Sequence, residues 1–267
     1  MIKIGNNISS FSTYSCQPKS NEELKIIIGS RISKYGPKCD LNDIDTSLIT
    51  DMSDLFYYSS FDGDISKWDV RNVKSMNEMF YYSNFNGDIS NWDVSNVETM
   101  DSMFYRSEFN GDISKWDVSN VESMEKMFEW SKFTGENGDI SEWDVSNVNR
   151  MNSMFAESKF NGDISNWDVS NVKNMGCMFD RSTFNGDISE WNVSNVKNMY
   201  YMFSNSKFNG DISNWDVNNV EDMDYMFYES SFNGDISKWD VSKVINMEGI
   251  FYNSPLEKNP PKWYKKK

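Results

Sequence analysis

The sequence contains no histidine. That absence excludes Ser-His-Asp and Cys-His catalysis, histidine-ligated zinc and histidine pH switching. Cysteine is scarce: Cys16, Cys39 and Cys177 are too few and too widely spaced for a disulfide framework or a CxxC metal site, and free thiols fit a reducing compartment. Long hydrophobic runs are missing. The longest aliphatic run is Ile26-Ile27-Ile28, so no membrane insertion is expected. The opening MIKIGNNISSFSTYSC lacks the apolar stretch of about 7–15 residues that a signal peptide needs. Positive charge is short, 26 Lys and Arg against 41 Asp and Glu. The net −15 repels phosphates and argues against nucleic acid or anionic membrane as partners. What is plentiful is aromatic residues, 15% of 267, far more than a disordered chain carries.

Those aromatics keep register. Trp recurs at 68, 92, 116, 143, 167, 191, 215 and 239, with a spacing of 24 broken only by the 27 between Trp116 and Trp143. The extra residues fall in 133–138, where Phe-Thr-Gly-Glu-Asn-Gly replaces Phe-Asn-Gly. Apart from Met1, every Met lies in the column beginning at Met52 or the one beginning at Met79, and every Phe but Phe11 in the Phe80 or Phe85 column. A degenerate first copy starts near Pro37, with Ile44 in the Trp column. Repetition at such a period is the signature of a stacked solenoid. The expected architecture is α/β, with about nine 24-residue coils between residues 37 and 254.

Within a coil, Trp68 and Val70 alternate with Lys67, Asp69 and Arg71, which predicts a short parallel strand. Val73, Met76, Met79 and Phe80 then follow helical spacing, which predicts one short helix with Asn72 as its N-cap. Each coil offers eight large apolar side chains, worth about 12–24 kcal/mol if buried. Ordering 24 backbones costs about 24–48 kcal/mol, so no coil folds alone and each must stack on the next.

The ends are expected to cap the stack. Ser20-Asn21-Glu22-Glu23 reads as a capping box opening a helix that Gly36 closes, so residues 20–36 form a helical N-cap. Residues 1–19 read as a flexible segment. Residues 255–267 form a C-terminal cap and basic tail, where Pro255, Pro260 and Pro261 stop regular structure and Leu256 and Trp263 cover the last coil. Both ends are basic, so the acidic excess lies in the repeats.

The motif FNGDISxWDVSNVxxMxxMF resembles the BspA-like, DUF285-type repeats of bacterial surface proteins. It is similar in layout to the leucine-rich repeats of the Treponema type, with the Ser column from Ser59 to Ser254 at their Cys position. The resemblance covers about residues 20–264. It implies a leucine-rich-repeat-like solenoid, display at the cell surface or secretion, and adhesion to proteins. A cytoplasmic location is the alternative, since no signal peptide is written in this chain. No catalytic residues come with the resemblance.

Two Asp columns begin at Asp64 and Asp69. Carboxylates about 4.8 Å apart repel by about 1 kcal/mol in water, so something must offset them. Hydrogen bonds from the local turns are one answer, and a calcium ladder is another. Paired carboxylates in every coil belong to structure, since an active site breaks symmetry once; no enzyme activity and no cofactor are expected. The unrepeated residues are Tyr57, Tyr58, Tyr81, Tyr82, Tyr105 and Trp130, which follow the buried Phe column where later coils carry Ala156-Glu157, Asp180-Arg181 and Ser204-Asn205. An exposed aromatic patch there suits a protein partner, unless the N-terminal residues 1–18 cover it. Tyr200, Tyr201 and Tyr225 form a smaller cluster. Asp69, Asp93 and Asp117, beside the variable Lys67 column, mark a concave face as a second contact surface. The expected function is therefore a monomeric, non-enzymatic protein-binding module, adhesin-like or scaffold. The alternative is a passive or calcium-stabilised solenoid without a specific partner.

Overall fold

The computed structural model describes residues 14–265. One helix, α1 (Asn21–Tyr35), precedes the repeats. Its first turn forms as the capping box predicts: the Ser20 hydroxyl accepts from the Glu23 N–H at 3.3 Å. The Glu23 carboxylate reaches back to the Lys19 N–H at 2.7 Å rather than to Ser20 itself. Gly36 ends the helix at φ 87°, a left-handed region that costs a glycine little, and its N–H donates to the Ile32 carbonyl. Leu24 and Ile28 are buried on the first coil, and the Asn21 side-chain amide donates to the Ser53 carbonyl at 2.9 Å.

Residues 14–18, expected to be flexible, add to the first coil instead. The Ser15 N–H donates to the Asp43 carbonyl and the Asp45 N–H to the Cys16 carbonyl, a parallel bridge between Cys16 and Ile44. The rest of that segment, residues 1–13, lies outside the described residues.

Nine coils stack in parallel, joined by bridges that run Asp51, Ser75, Thr99, Ser123, Arg150, Asn174, Asn198, Asp222 and Asn246. The repeat period is as predicted, but the predicted elements are not. Among the described residues no strand forms at Trp-Asp-Val and no helix at Val-x-x-Met-x-x-Met-Phe. The Met segment is a chain of tight turns: Met79 N–H bonds the Met76 carbonyl, Tyr81 the Glu78 carbonyl and Ser83 the Phe80 carbonyl. Glu78 and Tyr82 have φ of 56° and 53°, as the third position of a type II turn requires, and every coil repeats this pair. No α-helix accommodates such residues. Spacing of three and four residues places side chains on one face of a chain of turns as it does on a helix, which is why the sequence pattern misled.

The reward for this unusual backbone is a ladder between coils. Met52, Asp54, Phe56 and Tyr58 donate their N–H groups to the carbonyls of Ser75, Asn77, Met79 and Tyr81 at 2.8–3.0 Å, and later coils repeat the set. At Trp-Asp-Val the links are made by side chains. From Trp92 on, each Trp of this column donates its indole N–H to the carbonyl of the Ile one coil earlier, as Trp92 does to Ile65 at 3.2 Å, and Trp68 does the same to Leu41. Asn72, predicted to cap a helix, donates its side-chain amide to the Ser47 carbonyl of the preceding coil at 2.8 Å.

The core is the stack of these columns. Ile65, Trp68, Val70, Val73, Met76, Met79, Phe80 and Phe85 are all at most 4% exposed. Phe rings stack on their copies, with centroids 5.4 Å apart for Phe56 and Phe80 and 5.6 Å for Phe80 and Phe104. Gly87 is small because the Phe85 ring folds beneath it: a Cβ there would stand 2.7 Å from that ring. The three-residue insertion is absorbed in the outer turn, where Gly135 takes φ 84° while Trp143 still reaches the Ile113 carbonyl.

Beyond the ninth coil, Leu256 and Trp263 fall in the Phe85 and Trp68 columns of a further repeat. The Trp263 indole donates to the Ile236 carbonyl at 2.8 Å, the bond that Trp92 and its later copies make. The segment read as a cap is thus the first half of a tenth coil.

Candidate interaction surface

The position after each buried Phe is followed by one in the left-handed conformation. The two positions generate neighbouring columns along the stack. In the first column Tyr57 stacks on Tyr81 with centroids 4.8 Å apart, and Tyr81 on Tyr105 at 4.5 Å. In the second, Tyr58 stacks on Tyr82 at 4.6 Å. Arg106 then sits 5.1 Å from the Tyr82 ring and 4.6 Å from the Trp130 ring, sandwiched between them, and hydrogen-bonds the Tyr82 hydroxyl. Trp130 therefore belongs with Tyr58 and Tyr82, not with Tyr81 and Tyr105. The register was there to be counted, since Trp130 follows Phe128 by two residues and Tyr105 follows Phe104 by one. Arg106 is the member that sequence reasoning missed.

Together these side chains make one stripe over the first four coils. Tyr57, Tyr58 and Trp130 are 44%, 59% and 44% exposed, while Tyr81, Tyr82 and Tyr105 are half-buried between neighbours. Burial and the flanking tyrosines push the Tyr81 hydroxyl up to about 12, so it stays a neutral hydrogen-bond donor at physiological pH. The stacking spends no flexible side chains, which leaves rigid rings presented at fixed spacing.

The stripe ends where the first column loses its rings, at Glu129, Ala156 and Asp180. Burial pushes Glu129 up to about 7 and Asp180 up to about 6. One oxygen of each, and the Oδ1 of buried Asn152, has no hydrogen-bond partner. An acid whose folded pKa is raised binds its proton more tightly when folded. Stability is then greatest below the unfolded value and falls as pH rises through the folded one. We expect urea unfolding to show wild-type stability falling by about 1–2 kcal/mol between pH 5 and pH 7.5, with Glu129 half-exposed and screened. Glu129→Gln should gain on wild type across the same range; a gap that stays constant with pH would contradict this.

Tyr201 stacks on Tyr225 at 4.8 Å and meets Tyr200 edge-on, so the smaller cluster also assembles. The Tyr200 ring packs over Gly176, where a Cβ would collide with it. Burial raises the Cys177 thiol to about 11, so it is a poor nucleophile.

The Asp columns lie elsewhere on the coil. Every member of the column that begins at Asp64 and ends at Asp235 accepts the N–H two residues on, as Asp64 does from Ser66 at 2.9 Å. Asp93 and Asp117 accept from Ser95 and Ser119 at 3.2 and 3.1 Å and also take the Ser hydroxyls. Asp69 is held by both the backbone and the guanidinium of Arg71. These bonds hold Asp64 and Asp88 below the usual carboxylate range, and the Arg71 side chain does the same for Asp69. The turn hydrogen bonds are what offset the repulsion between coils. Among the described residues, no group of three or more Asp, Glu, Cys or His side chains is placed to hold a metal ion.

A stack of 24-residue coils, tied by ladders of Trp, Asn and backbone amides and carrying an aromatic stripe over its first four coils, defines a repeat protein. The chain belongs to the DUF285 family, described as "Mycoplasma protein of unknown function, DUF285", whose model matches residues 32–136, 108–207 and 180–264. No match was found among curated proteins or solved structures.

Proposed function

We propose that this chain is a non-enzymatic protein-binding module and that the stripe of Tyr57, Tyr58, Tyr81, Tyr82, Tyr105, Arg106 and Trp130 is its contact surface. The observation that carries this reading is the continuity of the stripe, in which six aromatic side chains and one guanidinium stack along the first four coils and remain partly open to solvent. Rigid aromatics and arginine are the residues that dominate protein interfaces, and they lose little conformational freedom on contact. Asp69, Asp93 and Asp117 are a weaker candidate, because each already holds its own turn through its Oδ1. The leucine-rich-repeat-like class and display at the cell surface, as an adhesin-like monomer, follow from the family resemblance and belong to the same proposal. Among the described residues no helix is long and apolar enough to cross a membrane.

The test replaces two stripe residues together. Tyr81→Ser with Tyr105→Ser should leave chemical denaturation nearly unchanged, because Ser204 already occupies that column. Affinity for a purified binding partner should fall at least tenfold, which corresponds to about 1.4 kcal/mol. Unchanged affinity would reject the stripe as the contact surface, and a collapse of stability would mark the rings as core.

A further inference from the structure

The outer turns carry seven Asn-Gly dipeptides, one per coil, from Asn86-Gly87 to Asn233-Gly234. This pair is chemically labile. Glycine has no side chain to shield its backbone nitrogen, which reaches the Asn side-chain carbon and closes a five-membered imide. The reaction requires the carboxamide to swing away from its resting position. In five of the seven the stack opposes that swing. The Oδ1 atoms of Asn86, Asn110, Asn161, Asn185 and Asn209 each accept a backbone N–H from the next coil at 2.8–3.0 Å.

Asn137 stands outside this side-chain ladder. The three-residue insertion puts Thr134 in the register instead: its N–H takes the Asn110 Oδ1 and its carbonyl accepts from Asn161. Asn137 is exposed and donates its Nδ2 to the Asn110 carbonyl at 3.1 Å. Among the described residues its Oδ1 accepts no hydrogen bond, and the Gly138 N–H, as in the other coils, donates none. Exposure does not separate the sites, since Asn86, Asn161, Asn185 and Asn209 are exposed as well. The bond from the next coil does. Asn233 is intermediate. It keeps the register through its own N–H on the Asn209 Oδ1. Its Oδ1 has no such donor, because the Glu257 N–H, next in the column, turns to the Ser254 carbonyl.

We propose that Asn137 is a site of spontaneous covalent modification, converted to aspartate and isoaspartate well ahead of the laddered asparagines. The Gly138 nitrogen attacks the Asn137 Cγ and the Cγ–Nδ2 bond breaks. Nδ2 leaves as ammonia, taking the proton that the Gly138 nitrogen gives up. Water from the solvent then opens the imide at either of its carbonyls. One product is aspartate; in the other the main chain runs through the side-chain carbon. No oxidant or reductant takes part. Each event adds one negative charge to an outer turn that already holds Glu136 and Asp139.

The test ages the folded full chain at mildly alkaline pH and physiological temperature and follows each Asn-Gly peptide by mass spectrometry. Asn137 should convert about fivefold faster or more than the five laddered sites, the factor that one hydrogen bond of ordinary strength supplies, with Asn233 between. In concentrated urea, where no ladder exists, all seven should react at nearly equal rates. Deleting residues 134–136 joins Phe133 to Asn137-Gly138 and recreates the Phe-Asn-Gly of the neighbouring coils. That variant should return Asn137 to the ladder and lower its rate to that of Asn110. If the deletion does not fold, the comparison of folded and urea-unfolded wild type decides alone. The proposal is overturned if folded Asn137 reacts no faster than the laddered five. It is equally overturned if the excess rate persists in urea or in the folded deletion variant, which would assign it to local sequence rather than to the missing bond.

Discussion

Trp167→Ala should destabilise the protein by about 3–5 kcal/mol in chemical denaturation. The indole is 3% exposed, stacks on Trp143 at 6.4 Å and lies 6.2 Å from Phe155, so truncation leaves a hole in the centre of the stack. It also removes the 2.9 Å bond from the indole N–H to the Ile140 carbonyl. Trp167→Phe separates the two effects. It keeps most of the bulk but leaves that buried carbonyl without its donor, at a cost of about 1–3 kcal/mol. A loss below about 1 kcal/mol for the Ala variant would show that the Trp column is not core.

Leu24→Asp should be as damaging, but locally. Leu24 is fully buried between α1 and the first coil. Truncating such a leucine costs about 2–5 kcal/mol, and an unpaired carboxylate in its place adds a desolvation penalty. Because each coil contacts only its neighbours, the loss should be felt at the near end first. Hydrogen exchange should quicken strongly at Leu41, Ile44, Ile49 and Met52 while Met175 and Phe179 keep their protection. Uniform loss along the whole chain, or none, would contradict the role of α1 as the cover of the first coil.

How far the sequence reveals this molecule depends on the physical origin of each feature. The period, the core columns and α1 were legible because each is written in residue type: Trp68 and its copies, the Met and Phe columns, and Ser20 with Glu23. The backbone inside a coil was not. Met76, Met79 and Phe80 share their spacing with a helix, and only the left-handed Glu78 and Tyr82 distinguish a chain of turns. Those two residues carry no glycine signature, since the ladder between coils compensates their strain. Asn72 misled for a related reason: an amide suited to capping a helix serves equally to bridge two coils. In the stripe, the tyrosines and Trp130 were legible as exceptions to the repeat, whereas the bridging role of Arg106 needed the stacked geometry.

The stripe is the central functional claim, and a hydrogen-exchange footprint of the bound complex tests it most directly. With a partner bound at saturation, protection should increase over residues 57–58, 81–82, 105–106 and 130, with the Asp columns unchanged. Protection centred on Asp69, Asp93 and Asp117, with the stripe exchanging as in the free chain, would contradict the claim and move the contact to the Asp columns.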